Sequence, residues 1–139
     1  MSAKIHAINS VISDHSAFLV PKLDYLRELS GGDHSFIAEI LEMFITEAPQ
    51  SVEQSLSYLR EKNFDMLRIT VHKLKSSVQV VGGYHLTNII QEIEFGAKDN
   101  HQPDILHQML TVLNKGIQHM VQHLCVELNA IGKQNNASA

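Results

Sequence analysis

The stretch Val71-His72-Lys73-Leu74-Lys75-Ser76-Ser77 lies inside a helical pattern of apolar residues, and the glycine pair Gly82-Gly83 follows it. Successive residues of an α-helix advance by about 100° around its axis. By this geometry, four polar side chains of the segment lie within about 60° of His72: Arg68, Lys75, Ser76 and Gln79. The apolar side chains on the opposite or lateral side are Leu67, Val71, Leu74, Val78 and Val81. The pattern predicts a helix that buries one face and presents a histidine among cations on the other.

A histidine in this setting is suited to bind a phosphoryl group. The neutral imidazole is a competent nucleophile near pH 7. A lysine one turn away, here Lys75, can hold phosphate oxygens as a point charge.

Composition restricts the remaining function classes. The 139 residues suggest one domain, and 44% hydrophobic with 19% charged residues is typical of a soluble globular chain. The net charge of −4 weighs against general nucleic-acid binding. No apolar run approaches the length of a membrane span or a signal peptide, so no membrane association is expected. Cys125 is the single cysteine, which fits a reducing, cytoplasmic setting, and a monomer is the simplest expectation.

The pattern of apolar residues at the N-terminus predicts one or two short helices. Residues 1–22 form a lead-in in which Ile5, Ile8, Val11 and Ile12 recur at helical spacing. A second short helix is predicted from Pro21 to Leu29, because proline is tolerated in a first helical turn.

Four long amphipathic helices are predicted to follow. The first begins after the N-cap Asp33 and continues past Pro49 with a kink or brief break. The second is capped by Asn63, carries His72 and stops at Gly82-Gly83. The third runs from about Tyr84 to Lys98, and the fourth from Pro103 to about Gly132. We expect an all-α, antiparallel up-down four-helix bundle over residues 23–131, with a disordered tail over residues 132–139.

The residues around His72 resemble the histidine-containing phosphotransfer (HPt) domain family. Its motif is a histidine followed by lysine at +3, glycine at +4, a small residue at +5 and glycine at +10. The corresponding residues here are His72, Lys75, Ser76, Ser77 and Gly82. Ser76 departs from the usual glycine, whose missing side chain lets the partner approach the histidine. The resemblance extends over roughly Leu23 to Leu128, including Phe36, Ile37, Leu41, Phe44, Leu86, Ile93 and Glu94.

The resemblance implies a phosphorelay intermediate of two-component signalling. His72 would take a phosphoryl group from one receiver-domain aspartate and pass it to another. Lys75 would stabilise the phosphate, with further help expected from Arg68, Gln79 and Lys98. The partners would be response-regulator receiver domains and a hybrid sensor histidine kinase. The chain would be a carrier without autonomous kinase activity and without a cofactor of its own, since the receiver domain supplies the divalent metal.

Partner docking is expected on the residues around the histidine. Ile69 and Val80 lie at roughly +60° and +80° from His72, away from the buried stripe. Together with Ser76, Gly82 and Gly83 they form the predicted docking surface. For Ile69 and Val80, burial under a flanking segment such as the N-terminal residues is an equal alternative.

Two other function classes remain open. A helical-bundle adaptor would bind a receiver or kinase without carrying phosphate, and Ser76 in place of glycine favours it. A metal-binding bundle would use His119 and His123, whose i, i+4 spacing can chelate zinc. The scattered histidines, including His85, are expected to face solvent.

Overall fold

The computed structural model describes residues 22–100 and 102–138, without the side chains of Asn100 and of residues 133–138. Every regular element in these ranges is helical, which confirms the predicted all-α class. The helices are α1 (Asp24–Ser30), α2 (His34–Arg60), α3 (Phe64–Val80), α4 (Thr87–Phe95) and α5 (Pro103–Ser138). A 3₁₀ turn at Tyr84–Leu86 precedes α4, and a π-helical segment at Gly96–Asn100 follows it. No helix in the described part of the chain is long and apolar enough to span a bilayer.

Side-chain caps fix the starts of α2 and α3, as the sequence predicted. The backbone N–H groups of Ser35 and Phe36 donate to Oδ1 of Asp33, over 3.0 and 3.3 Å. The N–H of Met66 donates to Oδ1 of Asn63 over 3.3 Å. Each cap satisfies N–H groups that have no partner within the helix, a contribution of about 1 kcal/mol.

The glycine pair Gly82-Gly83 follows the end of α3, as predicted. Gly82 has a φ of +81°, a left-handed conformation that side chains with a β-carbon adopt at a cost. Its N–H donates to the carbonyl of Gln79, and the N–H of Gly83 donates to the carbonyl of Val78 over 2.8 Å. The carbonyl of Gly82 accepts in turn from the N–H of Lys22. This turn therefore ends α3 and also anchors the chain just before α1.

One apolar core joins the helices. α2 packs along both α3 and α5, and α3 packs along α4. Helix α4 packs on α5, and close approaches flank it on both sides: Gly83 before α4 lies against Met120, and Gly96 after α4 lies against Leu106. The largest fully buried side chains are Leu26, Leu41, Leu67, Leu86, Ile89, Ile90, Ile93, Leu106, Leu110, Leu113, Ile117 and Met120.

Helix α2 passes through Pro49 without interruption, which confirms the predicted single long helix and excludes the alternative of a brief break there. Proline removes one helical hydrogen bond and crowds the preceding turn. On either side of it, Ala48 and Val52 are buried in the core. Their burial in the core favours a continuous helix across Pro49, so tertiary contacts override the local preference.

Two further boundaries differ from the predicted ones. The predicted third helix is divided into the 3₁₀ turn, α4 and the π-helical segment. Helix α5 begins at Pro103 as predicted but extends to Ser138 and does not stop at Gly132. Gly132 is not among the glycines with positive φ, and a β-carbon there would meet nothing within 4 Å. The lead-in over residues 1–21 lies outside the described residues, and the division into lead-in, bundle and tail stays a prediction.

We expect Gly82→Ala to destabilise the fold much more than Gly31→Ala. Both glycines have positive φ, but a β-carbon at Gly31 meets nothing within 4 Å, whereas at Gly82 it would overlap the backbone of Lys22. Gly31→Ala should cost about 1–2 kcal/mol from backbone strain alone. Gly82→Ala should cost more than about 3 kcal/mol. Urea unfolding measures both, and equal losses would show that the Lys22 contact is unimportant.

Candidate functional site

His72 lies in the middle of α3 and makes a hydrogen bond to α4. Its Nδ1 is 3.1 Å from Oε1 of Glu94, and 61% of the histidine side chain is exposed. A carboxylate can only accept, so Nδ1 must carry the proton in this contact. In the neutral ring, Nε2 then bears the lone pair. The arrangement presents a nucleophilic nitrogen with its tautomer set by the neighbouring helix.

Lys75 shares the same carboxylate oxygen. Its Nζ lies 3.6 Å from Oε1 of Glu94, and both side chains are only 20% exposed. The Lys75 ammonium group therefore lies one turn from His72, and both groups contact the same Glu94 carboxylate oxygen. Partial burial weakens solvent screening of this pair relative to a fully exposed one. A positive charge beside an exposed nucleophilic nitrogen suits an anionic substrate.

The packing of α3 on α4 creates this cluster. On α3, Val71 and Leu74 are buried, so His72 between them points outward. On α4, Ile90 and Ile93 are buried, which places Glu94 at the edge of the interface. The packing of α3 against α4 after the turn at Gly82 and Gly83 brings the two edges together.

Three predicted phosphate-stabilising residues lie outside this cluster. Arg68 is half-buried in α3, Gln79 is exposed near its end, and Lys98 is exposed in the π-helical segment. Over residues 22–100 and 102–138, no hydrogen bond or ion pair joins any of them to His72. Their roles stay predictions, whereas Lys75 is in the cluster.

The predicted docking residues have unequal exposure. Ser76 is exposed and Ile69 is 36% exposed, so both are accessible beside the histidine. Val80 is half-buried against the core. Gly82 and Gly83 are buried in the turn, where they lie against Lys22 and Met120 and not at the surface beside His72.

A groove of about 310 Å³ runs between α2 and α3 on the side of His72 away from Glu94. Met43 and Val80 contribute to its apolar part, whereas Glu47 and Lys73 contribute charge. It adjoins the exposed face of α3, so a partner that covers His72 can also contact the groove.

Sequence reasoning missed the role of Glu94. Glu94 is 22 residues from His72, and no local spacing connects the two. Its position one residue after the inward-facing Ile93 was a weak signal, but only the packing of α4 on α3 identifies its partner.

His85 also departs from expectation. It is half-buried, its Nε2 is enclosed without a hydrogen-bond partner among the described residues, and burial lowers its pKa. The prediction that it faces solvent is therefore wrong. In the described ranges, His119 and His123 belong to no group of three or more side chains that could hold a metal ion.

Comparison with known proteins gives one finding. The family model described as Hpt domain matches residues 39–130, a range that contains His72, Lys75 and Glu94. No curated protein and no solved structure matches the chain.

We expect Glu94→Ala to change the tautomer of His72. In the wild type, the carboxylate should keep the proton on Nδ1 at alkaline pH, because it can only accept. Removal of the acceptor should shift a substantial fraction of the ring to the Nε2–H form. Nitrogen-15 NMR of the histidine rings measures both populations, with Glu53→Ala on the exposed side of α2 as a control. A wild-type ring that is mostly Nε2–H would contradict the assignment.

Proposed function

Because the chain belongs to the Hpt domain family, we propose that it relays a phosphoryl group between receiver-domain aspartates through a phosphohistidine at His72. Membership of this family implies phosphotransfer in two-component signalling and interaction with receiver domains and kinases. The observation that supports the choice of His72 is the hydrogen bond from its Nδ1 to Glu94, which leaves Nε2 as the exposed nucleophile.

The transfer step is an in-line displacement at phosphorus. Nε2 of His72 attacks the aspartyl phosphate of the receiver, a new N–P bond forms, and the acyl P–O bond breaks. The bonding electrons remain on the aspartate, which leaves as a carboxylate. The ring keeps its Nδ1 proton and becomes a phosphorylated imidazolium, whose positive charge faces the carboxylate of Glu94. The reverse reaction on a second receiver returns the neutral imidazole.

Lys75 is the proposed phosphate-binding cation of this step. In the unphosphorylated protein, its ammonium group pairs with Glu94 at 3.6 Å. Phosphorylation of Nε2 would place the oxygens of the phosphoryl group on the ring edge away from Glu94, within reach of the flexible Lys75 side chain. Lys75 can then bind these oxygens while Glu94 stays with the imidazolium. Arg68, Gln79 and Lys98 are proposed as secondary contributors.

The partner would supply the remaining catalytic groups. We propose that the receiver domain contributes the divalent metal and that a hybrid sensor kinase supplies the phosphoryl group. The family's domains are phosphocarrier modules, and we propose that this chain likewise has no autonomous kinase activity. A cytoplasmic monomer is the form that we propose.

We also propose that α2, α3, α4 and α5 alternate up and down. The contact of His72 with Glu94 across the turn at Gly82 supports opposite directions for α3 and α4. Two contacts support the same relation for α4 and α5: Gly83 with Met120, and Gly96 with Leu106.

We expect phosphoryl transfer to the wild type and none to His72→Gln. The assay uses a radiolabelled phospho-receiver domain, because the receiver is the proposed donor. The product should be labile in acid and stable in base, as a phosphoramidate bond is and an acyl or hydroxyl phosphate is not. Lys75→Met should slow the transfer at least tenfold by removing the phosphate-binding cation.

Retained binding to receivers without any transfer would contradict the proposal and favour the adaptor alternative. Circular dichroism of His72→Gln provides the folding control, since a 61% exposed side chain should be replaceable without loss of stability.

We expect Ile69→Ser to weaken receiver binding about tenfold, because its exposed side chain lies beside His72. Val80→Ser should also weaken binding, but it removes packing from the core as well. Val126→Ser on α5 is the matched control, since Val126 is 67% exposed and lies on another helix. Titration of each folded variant with a receiver domain measures the dissociation constant. Equal affinity for Ile69→Ser and the wild type would place docking elsewhere.

A further inference from the structure

We propose that the hydroxyl of Ser76 is a ligand of the phosphoryl group on Nε2 of His72 and prolongs the lifetime of the phosphohistidine. The inference rests on the proposed function and adds a phosphate-binding residue to it. Ser76 stands at the position where the family usually has glycine, so this ligand would distinguish the chain from typical members.

The helix places Ser76 next to the histidine. Residues four apart on a helix are neighbours, with β-carbons about 5–6 Å apart. Ser76 and His72 are both exposed, so a group on the histidine can lie beside Ser76 at the protein surface. The α3 surface on this side continues into the groove with α2, away from Glu94.

The orientation of the imidazole also favours a phosphoryl group on the Ser76 side of His72. Nδ1 points to Glu94 on α4, on the side of α3 where Lys75 also lies. Nε2 belongs to the other edge of the ring, so its lone pair points away from that carboxylate. By helix geometry, Ser76 is about 40° from His72 in the direction opposite to Lys75. A phosphoryl group on Nε2 would therefore lie toward Ser76, on the side of His72 opposite to Glu94, and Lys75 would have to release Glu94 to reach it.

The Ser76 hydroxyl is uncommitted in the unphosphorylated protein. Three other helical hydroxyls each donate to the backbone carbonyl four residues earlier, at 2.8, 2.7 and 2.9 Å: Ser55, Thr70 and Thr111. No such bond, and no other hydrogen bond, is made by Ser76 within the described ranges. Its donor is thus free to bind a phosphate oxygen without breaking an existing contact.

A donor at this place should stabilise the phosphorylated state. Loss of the phosphoryl group passes through a loose transition state, in which the N–P bond is largely broken. A hydroxyl bound to the phosphoryl oxygens favours the intact phosphohistidine, where these oxygens carry their full charge. Hydrogen bonds with one ionised partner are stronger than neutral ones. We therefore expect removal of the hydroxyl to shorten the lifetime about threefold.

The test phosphorylates the purified full chain with phosphoramidate, which needs no partner domain. Nε2 attacks the phosphorus, an N–P bond forms, and ammonia leaves with the electrons of the donor's P–N bond. After removal of the reagent, phosphorus-31 NMR follows the decay of the phosphohistidine signal. The proteins are the wild type and the variants Ser76→Ala, Ser76→Gly, Ser76→Thr and Ser77→Ala.

The expected pattern separates the hydroxyl from the β-carbon. Ser76→Ala and Ser76→Gly should decay about three times faster than the wild type, and Ser76→Thr, which keeps the hydroxyl, should restore the lifetime. Ser77→Ala is the matched control, because Ser77 lines the groove and is also exposed. Its lifetime should equal that of the wild type.

The role of the Ser76 hydroxyl and the carrier function of His72 can be refuted separately. Phosphohistidine on the wild type with an unchanged lifetime in Ser76→Ala would overturn the role of the hydroxyl and leave the carrier function intact. No phosphohistidine on the wild type, as on His72→Gln, would contradict the carrier function itself and the role of Ser76 with it. Thermal melts of all variants establish that each decay is measured on a folded protein.

Discussion

The turn at Gly82 and Gly83 is the constraint on which the site depends. The left-handed conformation of Gly82 ends α3, and the close approach of Gly83 to Met120 holds the turn against α5. Because the turn is short, α4 must lie directly beside α3. That placement brings Glu94 within hydrogen-bonding distance of His72. The same turn receives the backbone of Lys22, so one structural element organises both the site and the N-terminal edge of the described fold.

Local signals made much of the fold predictable. A cap acts on the N–H groups of the next few residues, so Asp33 and Asn63 identified the starts of α2 and α3 without tertiary information. The end of α3 at Gly82 was equally local. The polar stripe around His72 could also be predicted, because it lies on a single helix and follows from its 3.6-residue period.

Features that depend on contacts between helices could not be predicted in this way. Pro49 has the local chemistry of a helix breaker, but the burial of its neighbours in the core keeps α2 continuous. His85 is polar and follows a glycine turn, yet packing encloses its Nε2. The role of Glu94 depends on which face of α4 meets α3, and this is decided by the apolar residues of both helices together. These cases share a cause: the deciding partner is distant in sequence.

The burial of the inner face of α3 has a consequence for signalling. Val71 and Val78 are fully enclosed and Leu74 nearly so, which resists rotation or sliding of the helix within the bundle. A phosphoryl group on His72 would therefore alter the charge of the outer face and leave the backbone in place. Under the proposed function, the two signalling states are isostructural, and a partner must distinguish them by touching the histidine. Information would then pass only through direct encounters and not through a change of shape sensed at a distance.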